Sequence, residues 1–219
     1  MTQHTKTLAA VGLTAQAGRE AQITGLTVDS RAVKEGMLFA ALPGAVVHGA
    51  EFIPTALEQG AAAILTDSAG AEIAATALAA SDAALIVAQD PRQTLAQTAS
   101  LWSGAHPATV VAVTGTNGKT SVSTFARQIW EEMDIAGINL GTTGVEGAWT
   151  HPLNHTTPEP ITLHRVMAEA TANGITHVAM EASSHGLDQR RLDGVMLAAA
   201  GFTNFTQDHL DYHESFAAY

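Results

Sequence analysis

The sequence predicts an α/β protein made of two successive segments with mostly parallel sheets. Short apolar runs alternate with helical patterns along the chain, which is typical of parallel sheets. A polar break at residues 103–108 separates the two series. Hydrophobic residues make up 46% of the chain and charged residues 14%, which is ample for a buried core and argues against disorder.

The first segment, residues 1–102, contains four predicted strands and three predicted helices. Apolar runs predict strands at residues 23–30, 37–42, 61–67 and 83–89. Helices are predicted at residues 52–60, around 72–79 and from Pro91 to about Trp102. Turns such as Asp29-Ser30-Arg31 and Leu42-Pro43-Gly44 follow two of the strands, and they could form a small-molecule site.

The second segment, residues 109–219, continues the alternation. A strand begins at Thr109. The helix that follows it has apolar residues at helical spacing: Val122, Phe125, Ala126, Ile129 and Met133. A second helix is predicted at residues 159–173, and buried strands are predicted at 175–183 and 197–205. In such a sheet, ligands bind at the carboxyl ends of the strands.

Composition excludes several classes of protein. The net charge is −11, from 10 Lys and Arg against 21 Asp and Glu, so a nonspecific nucleic-acid binder is not expected. The chain has no cysteine, hence neither disulfides nor a thiolate metal site. No apolar run reaches the ~20 residues of a membrane helix, and the N-terminus does not resemble a signal peptide. We expect a cytoplasmic protein without membrane insertion, a monomer by default.

The stretch VVAVTGTNGKTSVSTF, residues 110–125, has the strand, glycine turn and helix that a phosphate-binding loop needs. Val113 stands where the first glycine of the usual motif belongs, so the loop is the shorter GTNGKT. In a phosphate cradle the N–H groups of residues 115–120 would face the phosphates, Lys119 would neutralise them, and the Thr120 hydroxyl would bind Mg²⁺. An ordinary strand–turn–helix connection with a solvated lysine is the alternative.

Polar residues follow the strand that ends at Glu181. A carboxylate is costly to bury without a partner, so we expect a metal or another cation beside it unless the glutamate is exposed. The run SSHGLDQRR, residues 183–191, has hydroxyls and arginines that suit an anionic ligand. Residues 202–216 are rich in Asp and His, but the spacing fits no zinc site. Asp208 and His209 could instead hold Mg²⁺, Mn²⁺ or the nucleotide.

Together these motifs resemble the Mur ligase family, and within it the branch of UDP-N-acetylmuramoyl-L-alanyl-D-glutamate ligases. TGTNGKTS, residues 114–121, is similar to the shortened phosphate loop of the family. MEASSHGLDQRR (180–191) and FTNFTQDHLDYH (202–213) are similar to the second and third signatures of the branch. TVDSRAVKEGMLFAALPG (27–44) and FIPTALEQGAAAI (52–64) resemble its N-terminal uridine-binding domain. The resemblance covers nearly the whole chain, and it implies that the loop binds ATP.

The resemblance also implies a role for each matching residue. ATP would be bound by Gly115, Thr116, Asn117, Gly118, Lys119, Thr120 and Ser121. Lys119, Glu181 and His209 would be the catalytic groups, and Thr120, Glu181 and His209 would hold Mg²⁺. Val28 and Ser30 would contact the uridine nucleotide. The muramoyl-dipeptide would be held by Thr156, Thr157, Ser183, Gln189 and Arg191.

The implied reaction adds diaminopimelate or lysine to UDP-MurNAc-L-Ala-D-Glu in peptidoglycan synthesis. ATP phosphorylates the D-glutamyl carboxylate and the incoming amine then displaces phosphate, a chemistry in which the protein mainly positions groups and neutralises charge. The resemblance leaves diaminopimelate and lysine as alternatives.

The chain departs from the family pattern in three places. Residues 45–49 read AVVHG where the family often has a His-containing polar loop and an Asp-Gly pair, and His155 stands where an asparagine is common. The carbamylated lysine of the family would lie beyond Tyr219, together with the rest of the ATPase domain and the domain that binds the amino acid. We therefore expect an incomplete central domain that does not complete ligation by itself.

Two other interpretations stay open at this point. The chain could be a catalytically silent module that binds a UDP-sugar. It could also be a phosphate-loop kinase or GTPase, although that class needs an aspartate at the strand end where Glu181 stands. Metal-dependent ATP turnover would separate the ligase from the silent module.

Overall fold

The computed structural model describes residues 5–219, which form two compact α/β units, one ending at Trp102 and the other beginning at Ser103. The N-terminal unit has a parallel sheet of four strands in chain order: β3 (Leu26–Thr27), β4 (Leu38–Ala40), β5 (Ala63–Thr66) and β6 (Ala84–Val87). β1 (Lys6–Thr7) and β2 (Gln22–Ile23) form a separate antiparallel pair. The helices are α1 (Ile53–Glu58), α2 (Ser68–Ile73), α3 (Ala75–Ala79) and α4 (Pro91–Ser103).

Two predicted elements of this unit are divided in the structure. The strand predicted at residues 23–30 is two short strands, β2 and β3, and the chain leaves β3 before Val28 because the Asp29 carboxylate accepts the N–H of Arg31 and starts a 3₁₀ turn there. The helix predicted around residues 72–79 is likewise two helices, which meet at Ala74.

The second unit has a five-stranded sheet in the order β11-β7-β10-β8-β9. Its strands are β7 (Thr109–Thr114), β8 (Gly137–Gly141), β9 (Gly144–Gly147), β10 (His177–Glu181) and β11 (Ala199–Phe202). All neighbours are parallel except the hairpin of β8 and β9. The helices are α5 (Lys119–Glu132), α6 (Pro160–Ala172), α7 (Ser184–Asp188) and α8 (Leu210–His213). The predicted α/β class with a mostly parallel sheet is confirmed.

The register of this sheet places the predicted site residues at one edge. Glu181, the last residue of β10, lies opposite Val113 of β7, and Phe202, the last residue of β11, lies opposite Thr114. Because all four parallel strands run the same way, the loops that follow them emerge at the same edge of the sheet.

The core of the second unit lies between α6 and the sheet. Buried residues of α6 (Leu163, Val166, Met167 and Ala170) pack in one cluster with buried residues of the strands (Ile138, Leu140, Val178 and Met180). Each of these Leu, Ile, Val and Met side chains contributes roughly 1.5–3 kcal/mol by burial. Within residues 5–219, no helix has both the length and the apolar character that a membrane crossing requires.

Helix α5 is confirmed, but its apolar stripe does not face the sheet. Phe125, Ile129 and Met133 are each about 60% exposed. The face toward the sheet carries the buried Ser123 and also Arg127, whose Nε donates to the buried Asn139 of β8 at 2.8 Å. A polar network therefore holds the inner face of α5, and helical periodicity alone did not indicate which face that is.

A histidine pair connects α6 to the segment that precedes β7. His164 is fully buried; its Nε2–H donates to the carbonyl of Asp193 at 3.0 Å, so its Nδ1 accepts from Nε2 of His106, also at 3.0 Å. The two rings stack with their centroids 4.9 Å apart. Burial lowers the pKa of His164 to about 4, and it lowers the pKa of His106 as well.

Lowering the pH is expected to destabilise the chain through His164. Below its ordinary pKa of 6.5 the unfolded chain takes up a proton that the folded chain does not bind until its pKa of about 4. The contribution of neutral His164 to the free energy of unfolding is therefore complete above pH ~6.5. It falls by roughly 3 kcal/mol as the pH drops toward ~4. Urea unfolding across this range should show a steeper loss for the native chain than for His164→Gln. Equal slopes would contradict the prediction.

Candidate active site

The predicted phosphate loop is the turn between β7 and α5. Gly115 and Gly118 have φ of +127° and +87°, a region that side chains with a Cβ rarely adopt. A Cβ at Gly115 would also lie 2.1 Å from the Thr203 hydroxyl. The backbone conformation therefore favours glycine at both positions, and the close approach of the segment that follows β11 requires it at Gly115.

The segment that follows β11 forms hydrogen bonds with two N–H groups of the loop. The N–H of Thr116 donates to the carbonyl of Asn204 at 3.0 Å, and the N–H of Asn117 donates to Oδ1 of Asn204 at 3.1 Å. The expectation that all N–H groups of residues 115–120 face a phosphate is therefore wrong at two positions. The first N–H groups of α5 have no partner within the helix, and together with Gly118 they form the remaining cradle.

Lys119 lies folded over the loop. Its Nζ donates to the carbonyl of Gly115 at 2.7 Å and to that of Thr116 at 3.2 Å. The ammonium group thus lies where an anion bound at the N-terminus of α5 would meet it, and the helix dipole there favours the same charge.

Glu181 places a buried carboxylate at the carboxyl end of β10, the middle strand of the sheet. The residue is 1% exposed. Its Oε2 accepts from the Thr120 hydroxyl at 2.9 Å, and its Oε1 accepts from the N–H of Thr142 at 2.9 Å. The approach is so close that a Cβ at Gly141 would lie 1.9 Å from Oε1.

Thr142 is a site residue that the sequence reasoning missed. It follows β8, and its hydroxyl lies 3.3 Å from Oε2 of Glu181 and 2.9 Å from the hydroxyl of Thr156. It therefore connects the carboxylate to the residues that resemble a substrate loop. A glycine-rich turn after an apolar run, LGTTG at residues 140–144, is the signal that could have identified it.

The predicted dipeptide-binding residues lie beside Glu181. The Thr157 hydroxyl donates to the carbonyl of Glu181 at 2.9 Å and accepts from the N–H of Ser183 at 2.9 Å. The Arg191 guanidinium donates to the carbonyl of Thr157 at 2.6 Å and to Oε1 of Gln189 at 2.8 Å. Arg191 is thus held in place by its neighbours.

A cavity of about 510 Å³ brings most of these residues together. It is lined by the loop residues Thr116, Asn117, Gly118, Lys119 and Thr120, by Thr142, Thr156, Thr157, Glu181, Ser183 and Arg191, and by His155, His185 and His209. Gln189 is not part of this lining. Its amide instead orients Arg191 and donates to the hydroxyl of Tyr212 at 3.1 Å.

His209 borders the cavity from the third motif. Its ring contacts the ring of His185, with centroids 4.9 Å apart, and its main-chain N–H donates to the carboxylate of Asp208 at 2.8 Å. Burial lowers the pKa of His185, and the nearby His209 and His213 lower it further. His185 is therefore favoured in its neutral form, which suits a hydrogen-bond acceptor role.

The oxygen atoms of Thr120 and Glu181 fit a hard divalent cation. They are a hydroxyl and a buried carboxylate in contact, the donor types that Mg²⁺ prefers. In the described part of the chain, no group of three or more His, Asp or Glu side chains could hold a metal. A cation here would therefore take further ligands from phosphate oxygens and water, as Mg²⁺ commonly does.

Val28 and Ser30, the expected uridine contacts, lie in the N-terminal unit just after β3. Ser30 is buried, whereas Val28 is 40% exposed. Between them Asp29 accepts hydrogen bonds from the Arg31 guanidinium at 2.9 and 2.8 Å, and these bonds lower the pKa of Asp29 to about 2. An exposed local ion pair thus lies directly after the strand end.

Two family models match the chain over nearly its whole length. The model of the Mur ligase family, catalytic domain, matches residues 22–103, and the model of the Mur ligase middle domain matches residues 113–219. The chain belongs to the Mur ligase family. This membership favours a ligase over the kinase or GTPase alternative.

The chain is similar to several individual Mur ligases that share one name. It is 51% identical over 201 residues to the UDP-N-acetylmuramoyl-L-alanyl-D-glutamate–2,6-diaminopimelate ligase of Brucella melitensis, and 50% identical over 199 residues to that of Rhizobium meliloti. These alignments cover 91% and 90% of this chain but 40% of each relative. A solved structure of a ligase with the same name superimposes with a TM-score of 0.79 at 29% identity, covering 99% of this chain and 43% of that one.

The substitution Gly141→Ala is expected to displace the carboxylate of Glu181 and so to destabilise the chain. The added Cβ would collide with Oε1 of Glu181, so the carboxylate must move and lose its donors, at a cost of about 2 kcal/mol or more in the free energy of unfolding. Gly201→Ala is the matched control, since its Cβ would meet no atom within 4 Å. If urea unfolding gave equal stability for both variants, Glu181 would not be held as described.

Proposed function

We propose that this chain forms the ATP-binding and muramoyl-dipeptide-binding part of an ATP-dependent amide ligase that acts on UDP-MurNAc-L-Ala-D-Glu. The observation that carries the proposal is the contact between Thr120 of the phosphate loop and the buried carboxylate of Glu181, at 2.9 Å. The same cavity is lined by Thr156, Thr157 and Arg191, so a nucleotide phosphate and a second anionic ligand would meet there.

The proposed reaction proceeds in two steps. The D-glutamyl carboxylate attacks the γ-phosphorus of ATP, and ADP leaves with the electrons of the broken P–O bond. The amine of an amino acid then attacks the acyl carbon, and phosphate leaves as the amide forms. Lys119 and the N–H groups that begin α5 would stabilise charge on the phosphates, and Arg191 would orient the carboxylate substrate.

Magnesium is the proposed metal. Thr120 and Glu181 would hold it, with His209 as a further candidate at the border of the cavity. Bound there, Mg²⁺ supplies neutralisation of the phosphate charge. The names of the relatives support diaminopimelate rather than lysine as the added amino acid. A cytoplasmic location and a part in peptidoglycan synthesis, cell shape and cell division belong to the same proposal.

The first test is an equilibrium titration of the chain with UDP-MurNAc-L-Ala-D-Glu, with UDP-MurNAc as the control ligand. The dipeptide should strengthen binding, because Arg191 and the hydroxyls of Thr156 and Ser183 are each held by a hydrogen bond to a neighbour and would need little reordering to bind it. Arg191→Lys should remove most of that difference, since lysine cannot make the forked contacts of a guanidinium. Equal binding of both ligands by a folded chain would argue against the dipeptide site.

The second test concerns the metal. In the presence of Mg²⁺, Glu181→Gln should weaken ADP binding by at least about tenfold, the equivalent of roughly 1.4 kcal/mol. With the metal chelated, the difference between the variant and the native chain should be much smaller, because Gln keeps the shape of the side chain and one of its two acceptor oxygens. Glu169→Gln, on the outer face of α6, is the matched control. A loss that is independent of Mg²⁺ would contradict a metal-binding role for Glu181.

A further inference from the structure

Asn204 contacts the phosphate loop through three of its own atoms. Its main-chain oxygen accepts the N–H of Thr116 at 3.0 Å, and its Oδ1 accepts the N–H of Asn117 at 3.1 Å. Its Nδ2 donates to the carbonyl of Asn117 at 2.9 Å. The side chain thus satisfies both the donor and the acceptor of one residue of the loop.

The carbonyl of Asn117 is held by a second donor as well. The Thr203 hydroxyl donates to it at 2.7 Å, and the same hydroxyl oxygen lies 3.2 Å from the carbonyl oxygen of Thr114. Two adjacent residues after β11 therefore fix the direction of a single carbonyl in a loop that belongs to β7 and α5.

Fixing that carbonyl also fixes the next N–H group. In a planar trans peptide the C=O of Asn117 and the N–H of Gly118 point in opposite directions. Because Thr203 and Asn204 hold the C=O on their side, the N–H of Gly118 is turned away from them. Gly118 lines the cavity that Lys119 and Thr120 also line, so this N–H is available to a ligand there.

We propose that Asn204 is a positioning residue of the nucleotide site. It sets the orientation of the Asn117–Gly118 peptide so that the N–H of Gly118 donates to a phosphate oxygen. This role rests on the ATP-binding function proposed above. It explains how a shortened loop keeps a defined phosphate-binding geometry. The neighbouring segment accepts hydrogen bonds from the N–H groups of Thr116 and Asn117, and it thereby orients the N–H of Gly118 toward the cavity.

Amide hydrogen exchange in the nucleotide-free chain tests the contact without any ligand. Asn204→Ala should speed exchange at Asn117 by about tenfold, because its acceptor, Oδ1, is lost. Exchange at Thr116 should stay slow, since its acceptor is the main-chain oxygen that alanine retains. Unchanged protection at Asn117 would overturn the proposal.

Calorimetric titration with ADP and Mg²⁺ tests the consequence. Asn204→Ala should weaken ADP binding by about tenfold or more, the equivalent of roughly 1.4 kcal/mol. Thr203→Val should weaken it to a smaller extent, and Thr203→Ser, which keeps the hydroxyl, should not. Asn173→Ala, an exposed amide at the end of α6, is the control. Binding of UDP-MurNAc-L-Ala-D-Glu should be unchanged in all four variants.

The outcomes separate this proposal from the one on which it rests. If the native chain binds ADP and Asn204→Ala binds it equally well, the positioning role is overturned and the nucleotide function stands. If Asn204→Ala weakens ADP and UDP-MurNAc-L-Ala-D-Glu alike, the residue has only a general structural role, and the proposal is again overturned. A native chain that binds no ADP would overturn the nucleotide function and this role with it.

Discussion

The burial of one carboxylate, that of Glu181, is the constraint on which the second unit depends. A carboxylate taken out of water costs several kcal/mol unless donors replace the lost hydration. Those donors come from α5, through the Thr120 hydroxyl, and from the turn after β8, through the N–H of Thr142. Gly141 has no side chain because the carboxylate occupies that space. One buried charge thus contacts both the first turn of the phosphate-loop helix and the turn after β8, and it requires a glycine at the end of β8.

The main chain of the same residue positions the second half of the site. The carbonyl of Glu181 accepts the Thr157 hydroxyl, which in turn accepts the N–H of Ser183, and the carbonyl of Thr157 receives Arg191. Side chain and main chain of one strand-end residue therefore hold two different loops. This is why the phosphate-binding groups and the polar groups of the 183–191 segment share a cavity, although they are distant in the sequence. Substitutions around Glu181 should consequently not be additive.

Local patterns in the sequence were sufficient for most of the parallel strands, for α5 and α6, and for the loop residues, because each depends on a short run of neighbours. The strands β8 and β9 were not predicted. Contacts across the edge could not be predicted this way. Nothing in the residues beside Thr142 or Asn204 specifies that the first reaches Glu181 and the second reaches the phosphate loop. The inner face of α5 was missed for a related reason: the apolar stripe is exposed, and Arg127 is turned inward by Asn139, a partner on another strand.

The missing glycine of the phosphate loop has a structural explanation in the register of the sheet. Val113, at the position of that glycine, is still a strand residue, paired with Glu181 on one side and with Gly201 on the other. Extending β7 this far shortens the loop, and it also keeps β11 alongside until its last residue. The chain after β11 therefore begins next to Gly115, close enough for Thr203 and Asn204 to hold the loop. A longer strand β7, together with the hydrogen bonds from Thr203 and Asn204, thus replaces part of the usual loop.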